Sequence, residues 1–361
     1  MRPSLPAILA LLIVGACSTS ATDAEPDCST PEACATSDAV SSDLPPFSVG
    51  AVQATRYPIV LHHGFNASST NSWSFYKVKE ALEADGHTVT TTQVEPFNGV
   101  PARAKTLARI VDDMRIAFCQ KQTDATARDA CERTTKVNII AHSMGGLDAR
   151  YLAATLGYAS KIASITTIST PHRGSNIADV GLRLAPDGGE MGAVLDHLAT
   201  CFGQTFTEYD LAHNTSMHAA LESLSEANAP AFNSANPDQP GIYYQSYAGV
   251  SRGIGGPRTE SQKKTVLDAC GGIYFGNVAR ADFMALQLGV SSPVVGHFTD
   301  APQDGMVVVT NAKWGTFRGC FAGDHLDEVG QVKNDRPDRY TKFDHLAFYR
   351  VIATDLAKRH L

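Results

Sequence analysis

The stretch NIIAHSMGGLDAR, residues 138–150, places one serine between an apolar run and a helix-like segment. Ser143 follows the apolar residues 137–141 and precedes Gly145 and Gly146. A chain that reverses direction within about two residues needs a strained backbone, which small neighbours tolerate. Such a turn exposes the hydroxyl and aims the following backbone N–H groups at an incoming ligand. The pattern indicates a nucleophilic serine; the alternative is a serine N-cap followed by glycines.

A nucleophilic serine needs a base and an acid that orients this base. When the serine sits on a strand–turn–helix, the chain order is serine, acid, histidine. His325, in the loop sequence GDHLDEVGQ, is the candidate base. Asp304, just before the strand-like residues 306–310, is the favoured acid, and Asp300 is its rival. The pattern alone leaves this choice open.

The transition state also needs two donors for its oxyanion. The sequence His62-His63-Gly64-Phe65 follows the first predicted strand, at the place where a second oxyanion loop is expected. We therefore expect the backbone N–H groups of Phe65 and Met144 to be the donors. His62 and His63 precede the serine in the chain, which favours a packing or loop-bonding role for both.

These residues must be positioned by alternating strands and helices. β-branched runs predict strands at residues 57–63, 87–94, 136–141 and 162–169. Helical spacing of apolar residues predicts helices at residues 74–84, 103–121, 144–155 and 343–359. This alternation predicts an α/β fold with a mostly parallel central sheet flanked by helices on both faces.

Length and composition fit a soluble globular domain. The 361 residues suit one large α/β domain or two small ones, and 43% hydrophobic content allows a sizeable core. The formal net charge of −7, without a basic cluster, argues against nucleic acid as a partner. We expect the folded domain to span residues 51–361.

The first 17 residues read as an export signal, because their apolar run is shorter than the roughly 20 residues that cross a bilayer. Val14-Gly15-Ala16-Cys17 also resembles the lipobox of bacterial lipoproteins. Residues 18–50, rich in Ser, Thr, Ala, Asp and Pro, predict a flexible tether. The protein should therefore be exported, either lipid-anchored to the bacterial envelope through Cys17 or secreted after cleavage of a plain signal.

Eight cysteines in an exported chain favour disulfides over metal sites, since no zinc-type spacing occurs. Two pairs are close enough in sequence to form small loops, namely Cys28–Cys34 and Cys119–Cys131.

The region from residue 57 to the C-terminus resembles the bacterial true lipases of the Pseudomonas and Burkholderia type, members of the α/β-hydrolase superfamily. The resemblance rests on stretches in register, among them YPIVLHHGF, VNIIAHSMGGLDARYLA, YYQSYAGVS, QDGMVVV and HLDEVGQ. It implies Ser143 as nucleophile, His325 as base and Asp304, rather than Asp300, as acid. It also implies oxyanion donors at Phe65 and Met144.

The same resemblance implies a structural calcium ion. The matching ligand positions are the carboxylates of Asp282 and Asp327 and the backbone carbonyls of Gln331 and Asp335. Calcium prefers several oxygen ligands, and two distant carboxylates would hold the His325 loop in place. The alternative is that Asp327 forms only a surface salt bridge.

The chain departs from the family pattern in its cysteines. Thr310 stands where the family has the second cysteine of its disulfide, so a Cys270–Cys320 bridge could serve instead, with Cys201 as the other candidate partner. Some relatives require a membrane-bound foldase, which makes a lipase-specific foldase a candidate partner here.

An amphipathic insertion at about residues 178–216 predicts a helical lid over the serine, with a fixed cap helix as the alternative. The sequence therefore predicts a carboxylic ester hydrolase, specifically a triacylglycerol lipase acting on acylglycerols at a lipid–water interface. A sterol esterase or acyltransferase would use the same triad. A non-catalytic lipid-binding lipoprotein is the alternative from another class.

Overall fold

The structure, a computed structural model, describes residues 47, 53–65, 67, 74–184, 215–330, 337–338 and 340–361. The export signal, the lipobox at Cys17 and nearly all of the tether lie outside these residues. So do the centre of the predicted lid (185–214), Cys201 and the two proposed carbonyl ligands, Gln331 and Asp335. These parts of the sequence analysis stay predictions.

A mostly parallel sheet forms the centre of the described structure, as the sequence predicts. Its strands are β1 (Ile59–His62), β2 (Val89–Thr91), β3 (Val137–His142), β4 (Ile162–Ile168), β5 (Tyr243–Arg252), β6 (Gly256–Pro257), β7 (Tyr274–Phe275), β8 (Arg280–Phe283) and β9 (Thr316–Ala322). Parallel pairing gives the order β2-β1-β3-β4-β5-β9-β7. The far end of β5 also pairs with β8, and β6 pairs antiparallel with β8 to form a short ribbon.

Helices cover both faces of this sheet. They are α1 (Val78–Ala84), α2 (Val100–Cys119), α3 (Ala125–Thr134), α4 (Gly145–Ala154), α5 (Asn176–Leu184), α6 (Met217–Leu224), α7 (Ala229–Ala235), α8 (Glu260–Ala269), α9 (Leu286–Val295), α10 (Val309–Ala312) and α11 (His345–Lys358). Short 3₁₀ helices occur at Tyr158–Lys161 and Asp327–Val329. The α/β architecture predicted from the sequence is confirmed.

Strand residues alternate between two hydrophobic cores because successive side chains point to opposite faces. Ile59 and Leu61 of β1 share a core with Phe348 of α11, whereas Val60 shares the other core with Leu107 of α2. Both faces are therefore covered, which explains why β1, β3 and β4 are buried along their whole length. Packing of the helices on both faces holds the sheet in place, so the ends of its strands need not contribute to the cores and can carry polar residues.

The predicted strand at residues 306–310 is wrong. Asp304 accepts hydrogen bonds from the N–H groups of Met306 (2.8 Å) and Val307 (2.7 Å), which closes a turn. Gly305 adopts a φ of 98°, and helix α10 begins at Val309. A run of β-branched residues predicts a strand, but here the aspartate turn overrides that local preference.

Two disulfides join described cysteines. Cys119–Cys131 closes the small loop expected from the sequence, and Cys270–Cys320 links the end of α8 to β9. The second bridge holds the strand that leads to His325. Within the described part of the chain, no helix is both long enough and apolar enough to cross a membrane.

Candidate active site

Ser143 lies in a left-handed turn between β3 and α4, with a φ of 55°. Its N–H donates to the carbonyl of Ile168 (2.9 Å), and its carbonyl accepts from the hydroxyl of Thr170 (2.7 Å). Gly145 must lack a side chain, because a Cβ there would lie 2.8 Å from the carbonyl oxygens of His62 and His63. The turn is thus held between the ends of neighbouring parallel strands.

His325, which follows β9, forms a buried pair with Asp304, which precedes α10. The Nδ1 of His325 lies 2.7 Å from Oδ2 of Asp304, and the backbone N–H of His325 donates to the carbonyl of Asp304 (2.9 Å). Burial raises the pKa of Asp304, but the His325 charge and hydrogen bond and two backbone N–H donors outweigh it. The pKa of Asp304 is therefore lowered, and Asp304 stays ionised beside the imidazole. The rival Asp300 is exposed.

The imidazole of His325 lies against the residue before Ser143. Its ring centroid is 4.4 Å from that of His142, at the end of β3. Burial and the neighbouring His325 lower the pKa of His142 well below its usual range, so that its ring stays neutral. Because Nδ1 of His325 faces Asp304, Nε2 is the nitrogen left for proton transfer.

The loop after β1 contacts Ser143 directly. A Cβ on Gly64 would lie 2.5 Å from the Cβ of Ser143 and 3.1 Å from its Oγ, so only glycine permits this approach. Phe65 follows this contact, and its ring packs edge-on against Phe97 at 5.4 Å. Met144 begins the turn into α4 and is fully buried. Met144 therefore follows Ser143 in the chain, and Phe65 follows the glycine that contacts Ser143 and packs in the same apolar cluster as Met144.

A buried ion pair that the sequence analysis missed supports this loop. Arg103 of α2 donates to Asp148 of α4 (2.8 Å) and to the carbonyl of His63 (2.8 Å). His62 also bonds to Asp148, with 2.9 Å between Nε2 and Oδ2. Burial lowers the pKa of both histidines, which keeps them in packing and loop-bonding roles. The sequence offered one signal for this ion pair: Arg103 lies on the apolar side of its helix, four positions before Leu107.

Glu328 is a second residue that the sequence did not single out. It is fully buried; its two carboxyl oxygens contact the Nε2 of His142 (3.0 Å) and the hydroxyl of Ser169 (2.5 Å). It also lies 3.9 Å from Nδ1 of His325. Burial, and then the nearby Asp304, raise its pKa well above the usual range. Glu328 thus connects the end of β3, the end of β4 and the His325 loop.

Three carboxylates meet beside this loop. Asp282, Asp324 and Asp327 each offer an oxygen, all within 4.8 Å of one another. Asp324 accepts from the N–H groups of Leu326 (2.8 Å) and Ala285 (2.7 Å), which fixes its orientation. Burial raises the pKa of Asp324. Asp282 and Asp327 are the two carboxylates that the family resemblance implies, whereas Asp324, directly before His325, is not predicted from the sequence.

Comparison with known proteins agrees with the fold described above. The family model described as the alpha/beta hydrolase fold matches residues 57–248. A triacylglycerol lipase from Pseudomonas fragi is 31% identical over 218 residues, which cover 55% of this chain and 68% of the relative. Triacylglycerol lipase 2 of Saccharomyces cerevisiae is 29% identical over 295 residues, covering 78% of this chain and 72% of the relative.

A further relative matches over a smaller share of the chain, and two solved structures align over most of it. A triacylglycerol lipase of Pseudarthrobacter phenanthrenivorans is 33% identical over 193 residues, and the match covers 50% of this chain and 54% of that enzyme. Among solved structures, a Staphylococcus hyicus lipase aligns with a TM-score of 0.54 at 19% identity, covering 84% of this chain and 96% of its own. A metagenomic carboxyl esterase aligns with a TM-score of 0.58 at 14% identity, covering 86% and 78%. The solved structures show a shared fold.

Replacing Arg103 with methionine should destabilise the protein strongly, because Asp148 would remain buried without its guanidinium partner. We expect the free energy of unfolding, measured by urea titration, to fall by about 3–5 kcal/mol. Arg109→Met, on the exposed face of the same helix, is the control and should change it by less than about 0.5 kcal/mol. A loss at Arg103 as small as the control's would contradict this interpretation.

Proposed function

Because the chain belongs to the bacterial lipases of the α/β-hydrolase family, we propose that it hydrolyses the ester bonds of triacylglycerols through Ser143, His325 and Asp304. One observation carries this proposal most directly. The His325–Asp304 pair, 2.7 Å apart, lies against the left-handed turn that presents Ser143. The site thus combines a hydroxyl, an imidazole and a carboxylate, the three groups that acyl transfer by a serine uses.

The proposed reaction assigns one role to each of these polar groups. Ser143 Oγ attacks the ester carbonyl carbon while Nε2 of His325 takes the hydroxyl proton. The N–H groups of Phe65 and Met144 bind the oxyanion that forms on the carbonyl oxygen. His325 then gives its proton to the leaving alcohol, and water repeats the sequence on the acyl-enzyme. Ionised Asp304 holds the imidazole tautomer and stabilises its cation.

Single substitutions test these roles. Ser143→Ala should abolish hydrolysis of trioleoylglycerol and p-nitrophenyl butyrate, because no other group forms the acyl-enzyme. Asp304→Asn should lower kcat by a factor on the order of 1,000–10,000, because the imidazole would adopt the wrong tautomer. Initial rates and covalent labelling by a fluorophosphonate provide the measurements.

Asp300→Asn is the matched control, since it changes the exposed rival acid four positions away and should keep nearly full activity. Loss of activity at position 300, or a labelled and active Ser143→Ala protein, would refute the assigned roles.

We also propose that Asp282, Asp324 and Asp327 hold a structural calcium ion, with Gln331 and Asp335 as carbonyl ligands. The donor set fits: all three side chains offer oxygen, and two are almost completely buried. A divalent cation would offset the repulsion between these carboxylates. When bound, it supplies no chemistry to the reaction but fixes the segment that carries His325.

Chelation by EDTA should therefore lower the Tm, and added calcium should restore it. Calcium at about 100 times its Kd would contribute about 2.7 kcal/mol to stability. Asp327→Asn should abolish this response and also weaken terbium luminescence at the site, whereas Asp268→Asn, an exposed change on α8, should do neither. A Tm that ignores both EDTA and calcium in the wild-type protein would exclude the ion.

Finally, we propose that the chain is exported and anchored to the envelope by lipidation of Cys17. The short apolar run and the sequence Val14-Gly15-Ala16-Cys17 support this. Cys17→Ser should move the protein from the membrane fraction to the soluble fraction of a bacterial host, as measured by immunoblot, while Cys28→Ser leaves it in place. Equal membrane association of the wild type and Cys17→Ser would exclude the anchor.

A further inference from the structure

Three large apolar side chains near the candidate active site are strongly exposed. Ile254 is 78% exposed, Phe283 is 60% exposed and Phe298 is 80% exposed. Phe283 ends β8, and Ile254 lies in the turn between β5 and β6. The backbone of the adjacent Gly255 lies against Phe283, because a Cβ there would be 3.0 Å from that of Phe283. Ile254 and Phe283 thus share the tip of the β6–β8 ribbon.

Helix α9 connects this tip to Phe298 and runs along the active site. At its start, the N–H of Ala285 donates to Oδ2 of Asp324 (2.7 Å), the residue before His325. In its middle, the hydroxyl of Ser291 donates to the carbonyl of Gly305, next to Asp304 (2.9 Å). At its end, the side chain of Asn176 donates to the carbonyl of Val294 (2.8 Å). Both exposed aromatic residues therefore flank a helix that packs on the catalytic acid loop.

Phe298 has a left-handed backbone conformation that is unfavourable for a residue with a side chain. It follows α9 with a φ of 60°, and His297 before it has a φ of 51°. The left-handed position after a helix is usually occupied by glycine, because a side chain there is strained. The N–H of Phe298 donates to the carbonyl of Pro293 (2.7 Å), a bond that any residue except proline could make. An exposed ring gains little from packing, so its presence points to a partner outside the fold.

We propose that Ile254, Phe283 and Phe298, here called the apolar rim, insert into the surface of an acylglycerol layer and hold the active site against it. The proposal rests on the proposed lipase function. Insertion transfers three apolar side chains from water into hydrocarbon, and this transfer is favourable. Arg252 pairs with Phe283 at the ribbon tip, and the exposed Arg280 begins the same strand β8. Long cationic side chains suit the boundary between lipid and water. Helix α9, which separates Phe283 from Phe298, bonds to the residues next to Asp304 and His325, and this link to the site favours a lipid surface over a protein partner.

Adsorption to a trioleoylglycerol emulsion stabilised by phosphatidylcholine tests the rim. The triple variant Ile254→Ser, Phe283→Ser, Phe298→Ser should adsorb about tenfold or more weakly than the wild type in a flotation assay. The double variant Ile116→Ser, Ile273→Ser, at exposed apolar positions on α2 and beyond α8, is the matched control and should adsorb normally. Adsorption of the triple variant at the wild-type level would overturn the proposal.

A soluble ester separates this outcome from failure of the proposed function. Hydrolysis of p-nitrophenyl acetate should be unchanged in the triple variant, because the rim does not touch the triad. A wild-type protein that adsorbs through the rim but hydrolyses no ester would refute the function and leave the rim. Size-exclusion chromatography provides a further check: a wild-type dimer that the triple variant dissociates would identify the rim as a contact between copies of the chain, against the proposal.

Phe298→Gly separates lipid contact from a structural role. Glycine relieves the strained backbone, so the Tm should rise while adsorption to the emulsion falls. A lower Tm would mean that the ring stabilises the fold, and the assignment of Phe298 to the rim would then be wrong.

Discussion

The left-handed turn at Ser143 is the constraint on which the rest of the site depends. A non-glycine residue in this conformation carries a strain on the order of 1–3 kcal/mol and persists only where its surroundings enforce it. Here the end of β4 enforces it, through the hydrogen bonds that Ile168 and Thr170 make to the Ser143 backbone. The parallel sheet thus does more than bring the strand ends together, since it also fixes the nucleophile in a conformation that it would not adopt alone.

Buried polar groups hold the loops around this turn. Arg103 ties α2 to the loop that carries Phe65, and Glu328 ties the ends of β3 and β4 to the loop that carries His325. A polar group without partners would be costly at either place, but each of these groups makes several hydrogen bonds with defined geometry. Apolar contacts also reach both loops, through Phe65 beside Met144 and through Leu326 beside Met284 and Leu288, but the polar contacts link the loops to the strand ends and to α2. The cores place the sheet, and these polar contacts place the catalytic loops.

The sequence predicted the alternation of strands and helices, because this depends on local pattern and on spacing along the chain. It also named Asp304 and His325, and the structure pairs these two beside His142, the residue before Ser143. It did not predict Arg103, Asp324 or Glu328, whose roles arise only from contacts between distant segments. It also mistook residues 306–310 for a strand, because β-branched residues favour strands unless an aspartate closes a turn before them. Asp304 against Asp300 illustrates the limit: the residues alone left the choice open and the family resemblance favoured Asp304. The structure buries Asp304 beside His325 and leaves Asp300 exposed.

The five residues from Asp324 to Glu328 have consequences for how such a chain can evolve. Asp324 and Asp327 face the carboxylate cluster, His325 faces Asp304, Leu326 packs with Met284 and Leu288, and Glu328 reaches the ends of two strands. These five consecutive residues thus contact four different surroundings, so inserting or deleting a single residue would displace the contacts at all four. Surface loops elsewhere can tolerate insertions and deletions. In this segment the length must stay constant, and only substitutions are compatible with the site.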